Sequence, residues 1–288
     1  MTVAIRTEKE VAEILSGKGD ETMLIDARTE LHFNKGRLPG SLLLEWEDFV
    51  SPPPPSATQF QERGWWGLLE DPGRGNFTQV LEKKGIDFGK ELLVYGDGPK
   101  SKGREGRLAW MLLYLGAPRV SLFSGGFSHI CQHWKITNLD KIPELSPSRI
   151  EINPVLDRRC RIEDLQDHVN RGDATIWDGR TEPEFDGEEH VYLPRRGHIP
   201  GAVLFSFPSI FQADSPCFID RQTYLKRLKD LPPRREVIIA YCELGLRAST
   251  IAILHEAYTQ ERVKIFDGGF MQWSLSDTYP VVSDTRIG

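Results

Sequence analysis

The sequence predicts an α/β protein made of two tandem, related domains, each a mainly parallel sheet flanked by helices. Three observations carry that expectation. The short runs LLVY, VSLF, VIIA and VKIF have the length and the branched or aromatic content of buried strands. Between them, GRLAWMLLYLGA and ASTIAILHEAYT carry helical apolar spacing; strand, helix, strand in succession implies β-α-β units and a parallel sheet. Finally, the same order of blocks occurs twice along the chain.

The blocks pair as follows. MLIDARTELHFNKGRLPGSLLL (23–44) is matched by TIWDGRTEPEFDG (175–187) and, after an intervening stretch, by RRGHIPGAVLF (195–205). Each copy reads as an apolar strand, Asp-x-Arg-Thr-Glu, a Phe three residues on, Gly-x-x-Pro-Gly and a second apolar strand. Asp26 therefore pairs with Asp178, and Pro39 with Pro200. ELLVYGDG (91–98) matches EVIIAYCE (236–243), and RVSLFSGGF (119–127) matches RVKIFDGGF (262–270). Two unrelated domains would not share this order, so the chain reads as a duplicated domain. The expected domains are 1–142 and 155–288, joined by a linker in LSPSRIEINPVLDRR (145–159). SPPPPSA (51–57) reads as a rigid surface loop inside the first domain.

Composition narrows the function classes. A chain of 288 residues suits about two domains. The net charge of -6 speaks against wholesale nucleic-acid binding. No apolar run approaches the ~18 residues of a membrane span, and the N-terminus lacks the pattern of a secretory signal. The expected setting is cytoplasmic, although a chain that had lost a transit peptide would read the same. No cofactor is expected. The four cysteines, Cys131, Cys160, Cys217 and Cys242, are scattered, with no Cys-x-x-Cys and no zinc-like cluster. Cys131 and His133 are close but lack further ligands nearby. A disulfide framework is not expected in such a chain.

Cys242 has the most informative setting. It ends the run VIIAY and precedes a helix expected near Ala248, and in parallel sheets sites form at the carboxyl ends of strands beside helix N-termini. A thiol reacts as its thiolate, a form favoured by helix N-termini and neighbouring cations. Glu243, Leu244, Gly245, Leu246 and Arg247 supply proline-free backbone N–H groups, with Gly245 free to take unusual conformations. Curled around the sulfur, they would cradle an anion bound to it or a terminal sulfur anion, with Arg247 adding a fixed charge.

This strand–Cys–loop–Arg–helix arrangement resembles the rhodanese family of sulfurtransferases. GHIPGA (197–202), WDGRTEPEF (177–185) and DGGFMQW (267–273) resemble its other signatures, in the same order. With the degenerate first copy, the layout resembles two-domain (tandem) rhodaneses with an inactive N-terminal domain and an active C-terminal one. The resemblance implies that Cys242 takes a sulfur from a donor, becomes a persulfide and passes the sulfur to an acceptor such as cyanide or a thiol, thioredoxin among the possible thiols. The first domain has Gly96-Asp97-Gly98 where the second has Cys242, and is expected to do no chemistry. Arg180, Arg195 and Arg196 are candidate substrate-binding cations; Asp178 and His198 are expected to support the loops.

The spacing from Cys242 to Arg247, C-x4-R, is one residue shorter than the loop of rhodanese-fold phosphatases, which makes that reading a poor fit. Thiosulfate is the preferred donor and 3-mercaptopyruvate the alternative. Leu244 offers no hydroxyl of the kind mercaptopyruvate-type loops carry, whereas LPRRGHIPGA resembles those enzymes upstream. Glu243 would repel a dianion unless it faces solvent or an arginine. A sulfur carrier to a protein partner, or a non-catalytic interaction module, is the reading from another class.

Overall fold

The apolar runs pair as parallel strands in two sheets. The structure, a computed structural model, describes residues 1–18, 21–133, 149–189 and 193–283; positions 145–148 of the expected linker lie outside them. In chain order the first half carries β1 (Thr2–Arg6), α1 (Glu8–Glu13), β2 (Thr22–Asp26), α2 (Glu30–Lys35), β3 (Leu42–Leu43), α3 (Phe77–Lys83), β4 (Glu91–Tyr95), α4 (Arg104–Tyr114), β5 (Arg119–Phe123) and α5 (Gly126–His133). The second half carries α6 (Ile162–Arg171), β6 (Ala174–Asp178), α7 (Glu182–Asp186), β7 (Ala202–Leu204), α8 (Arg221–Asp230), β8 (Val237–Tyr241), α9 (Leu246–Thr259), β9 (Lys264–Ile265) and α10 (Gly269–Ser274).

The strand orders are β1-β5-β4-β2-β3 and β7-β6-β8-β9, and every pairing between these strands is parallel. The repeat holds at the level of register. Asp26 lies opposite Tyr95 in the first sheet, and Asp178 opposite Tyr241 in the second. Where the first sheet adds the full strand β1, the second has a single parallel bridge between Arg159 and Ile265. The sheets are covered by helices that are themselves buried: α4 is buried from Glu105 to Tyr114 and α9 from Ala248 to His255. That burial accounts for the nearly unbroken apolar runs in the central strands, since parallel strands face a helical layer on both sides. The fold is the expected α/β fold with two sheets flanked by helices.

The described chain divides into two compact units that do not follow the chain's midpoint. One contains Met1–Phe49, Asp71–Leu156 and Phe211–Phe218; the other contains Val50–Glu70, Asp157–Ile210 and Ile219–Gly288. The stretch read from the sequence as a surface loop of the first domain thus belongs to the second unit. Its prolines run into a short 3-10 turn at Pro55–Phe60, and Ala57, Phe60 and Trp66 sit in one core with Cys160, Leu165, Ile176, Tyr241 and Phe270. The proline run suppresses helix and strand, as expected. The apolar residues that follow it anchor the segment in a core that no local pattern identifies.

Candidate active site

Cys242 follows β8 directly and is 1% exposed. Gly245 caps α9 with φ 81°, the left-handed region in which a side chain would be strained. The helix begins two residues earlier than expected, so Leu246 and Arg247 lie in its first turn. Ser249 is the first N–H to bond back, to the Gly245 carbonyl at 3.1 Å. The N–H groups of Leu246, Arg247 and Ala248 therefore have no acceptor within the helix, and they place the positive end of the helix dipole beside the Cys242 loop.

The loop is held from several directions. Phe270 donates its N–H to the Cys242 carbonyl at 2.7 Å, and Met271 donates to the Glu243 carbonyl at 3.1 Å. This requires Gly269, with φ 61°, whose added Cβ would collide with both of those carbonyls. On another side Gly67 packs so closely on the Leu244 carbonyl that it too has no room for a Cβ. Its segment is pinned where Leu69 donates its N–H to Asp267 Oδ2 at 2.6 Å and Arg159 joins Asp267 (2.9 Å) to the Leu69 carbonyl (2.6 Å). Tyr241 receives the Ile199 N–H on its hydroxyl at 3.2 Å, which ties the HIPG turn to the strand carrying the cysteine.

Three of the expected cations bond to acceptors of the protein itself. Arg247 lies where the charge of a Cys242 thiolate acts on it, but its guanidinium is engaged. It makes two bonds to Glu184, at 2.7 and 2.8 Å, and a longer one to Glu243 at 3.5 Å. Burial works to raise the Glu184 carboxyl; the Arg247 bonds overcome that and, with the Thr181 N–H and hydroxyl, hold it down at about 2. Arg180, expected to bind substrate, is buried instead. It pairs with Asp178 at 2.6 Å, donates to the Gly197 carbonyl at 2.8 Å and lies 4.2 Å over the Phe270 ring. Arg195 is likewise committed: it donates to the carbonyls of Trp273, Ser274, Ser276 and Tyr279. Arg180 is buried and Arg195 partly exposed, and in each the guanidinium is taken up by the acceptors around it. Arg196 is exposed. Asp178 also accepts the Arg180 N–H at 2.9 Å. His198 is buried, stacks on Phe185 at 3.6 Å and exchanges backbone bonds with Val282.

Sequence reasoning missed Glu184, although it was in view as the fourth residue of Thr-Glu-Pro-Glu, which forms a capping box at the start of α7. It also missed Gly67, Arg159 and Asp267, which meet only through tertiary packing.

The first unit has the same frame with different contents. Asp26, Arg28, the Gly36 carbonyl and Phe127 repeat Asp178, Arg180, the Gly197 carbonyl and Phe270. Gly103 caps α4 with φ 87°, so Glu105 occupies the helix position that Arg247 has in α9. Gly96 stands where Cys242 stands, and a Cβ there would run into Glu105 and the Ser101 hydroxyl. Ser101 donates to Glu105. Burial pushes the Glu105 carboxyl up to about 7.

Comparison with known proteins agrees with this duplicated frame. The rhodanese-like domain matches twice, over residues 7–133 and 161–276. The chain is 25% identical over 266 residues to a thiosulfate sulfurtransferase of Azotobacter vinelandii, covering 91% of each. It is 23% identical to the 3-mercaptopyruvate sulfurtransferase of Escherichia coli K12, covering 89% of this chain and 86% of that one. Among solved structures it is similar in fold, at 19% identity and TM-score 0.80, to an anaerobic ergothioneine biosynthesis enzyme from Chlorobium limicola, over 97% of this chain and 70% of that chain. With that domain matched in both halves and sulfurtransferases as relatives over most of its length, the chain belongs to the rhodanese family and is a two-domain sulfurtransferase.

Proposed function

We propose that this sulfurtransferase works through a persulfide on Cys242, with thiosulfate as donor and a thiophilic acceptor, cyanide or a thiol including a protein dithiol such as thioredoxin. The observation that carries this reading is the placement of Cys242 at the end of β8, directly before the Gly245-capped N-terminus of α9. The Cys242 thiolate attacks the outer sulfur of thiosulfate, the S–S bond breaks and sulfite leaves with its electron pair. The acceptor then attacks the terminal sulfur of the persulfide and releases the thiolate. In both half-reactions the sulfur anion lies beside the N–H groups at the start of α9, a cradle formed before the reaction.

The donor choice rests on the arginines. A keto-acid donor brings a carboxylate that needs a cation, and Arg180 and Arg195 are spent on Asp178 and on backbone carbonyls. Thiosulfate can be held by N–H groups alone. The pairing of Arg247 with Glu184 and Glu243 weakens the site's pull on a dianion, so a high KM for thiosulfate is expected. The first domain, with Gly96 in place of the cysteine and no room there for a side chain, is read as non-catalytic.

The test is intact-mass measurement after incubation with thiosulfate or with 3-mercaptopyruvate. The wild type should gain one sulfur atom, with a higher kcat/KM for thiosulfate, and Cys242→Ser should gain none. An adduct on the serine variant would overturn the residue, and faster transfer from 3-mercaptopyruvate would overturn the donor.

A further inference from the structure

A second thiol has a catalytic-looking setting that sulfur transfer at Cys242 does not use. Cys217 lies on the segment Phe211–Phe218, which belongs to the first unit. Its Sγ is 3.7 Å from His129 Nε2, and the same nitrogen is 3.2 Å from Glu8 Oε2. Cys217 is partly exposed, and so are the side chains of His129 and Glu8. The cluster is built from three separated parts of the chain. Phe218 donates its N–H to the Ser124 hydroxyl at 2.9 Å, and Cys217 packs against Gly125. Gly125, at φ 127°, leaves the space: a Cβ there would lie 2.9 Å from the His129 ring and 3.4 Å from the Cys217 sulfur.

We propose that Cys217 is a second reactive thiol, a modification site that takes low-molecular-weight disulfides with His129 as general base and Glu8 as its partner. Nε2 faces both groups. Unprotonated, it accepts the thiol proton; once protonated, it donates to the Glu8 carboxylate, whose charge holds the imidazolium in place. The sulfur then attacks one sulfur of the disulfide. A new S–S bond to Cys217 forms, the old one breaks, and the leaving thiolate takes the proton from His129, so no outside oxidant is needed.

The other thiols provide the contrast. Burial raises the Cys131 thiol, and burial pushes Cys160 up to about 12. Among the described residues neither is paired with an imidazole, and Cys131 shares the partial exposure of Cys217.

The experiment treats the full-length protein with cystamine at neutral pH and follows each cysteine by peptide mass mapping. Cys217 should gain the cysteamine mixed disulfide about ten times faster than Cys131, and His129→Gln should remove about that factor at Cys217 alone. Glu8→Gln should cost a smaller part of it. Sulfur transfer at Cys242 should persist in both variants, which reports that they fold. Labelling of Cys217 no faster than Cys131 in the wild type, or unchanged in both variants, would overturn the proposal. If His129→Gln fails to fold, Glu8→Gln and the wild-type ratio decide.

Discussion

The loop after β8 and the loop after β4 are one design with two contents. Both leave a central strand ending in tyrosine, both enter a buried helix through a left-handed glycine, and both sit beside the same Asp–Arg–aromatic stack. The second loop is short and begins with a thiol directly after the strand, before a helix whose second position is Arg247. The first is longer, fills the thiol's place with Gly96 and puts a carboxylic acid at the arginine's position. The comparison teaches that duplication preserved the frame that positions the site, and that chemistry depends on a handful of residues inside it.

The largest expected effect separates the two loops by one methyl group each. Gly269→Ala pushes a Cβ into the Cys242 and Glu243 carbonyls, and Gly126→Ala pushes one against Asp97 and Gly98. Both variants should lose about 2–3 kcal/mol of stability by denaturant unfolding, the range of a strained, overpacked site. Only Gly269→Ala should also lower sulfur-transfer kcat/KM, by about a hundredfold, because only it moves the loop of Cys242, the proposed persulfide carrier. Equal loss of activity in Gly126→Ala would erase the distinction between the halves.

A smaller effect follows from the inverted charge. Glu105 is held up at about 7 against an ordinary 4.5. A carboxyl raised on folding contributes stability that is full below its unfolded value and is lost as pH rises through about 7. Glu105→Gln should therefore match the wild type near pH 4.5 and exceed its melting temperature by a few degrees near pH 8, roughly the scale of a buried-charge relief. Glu184 has the opposite sign. Held down at about 2, it contributes stability present above about 4.5 and lost as pH falls toward 2. A melting temperature for Glu105→Gln that stays parallel to the wild type across that range would remove the buried acid from the account.

The smallest effect concerns the donor. Glu243→Gln removes the longer, 3.5 Å partner of Arg247 while leaving Glu184 bonded. Thiosulfate KM should fall about two- to threefold, less at high salt, with kcat unchanged. An unchanged KM at low salt would mean that this carboxylate does not face the donor.

Much of this is legible in the amino-acid sequence alone. The strands, the repeat and the strand–Cys–Gly–helix junction are local patterns, and local patterns carry the periodicity and turn chemistry that define such elements. The charges were legible only as residue types. Arg180 and Arg195 are equally compatible, as letters, with a substrate carboxylate or with Asp178 and a row of carbonyls; the choice is made by which acceptors the fold brings within 3 Å. Glu184 hid behind a local role, because the carboxylate that caps α7 also holds Arg247. Gly67 gave no signal, since its requirement is the nearness of a carbonyl far along the chain.

That last nearness shapes how the protein is made. The bond from Leu69 to Asp267 spans 198 positions, and the second unit's core is incomplete without Ala57, Phe60 and Trp66. The half that carries Cys242 is therefore not a portable cassette. A gene fragment starting at residue 155 encodes Cys242 and its helix without the piece that rests on Leu244. During synthesis the early segment waits for a partner 198 positions further on, a closure of long sequence separation that slows assembly and leaves Trp66 uncovered in the meantime.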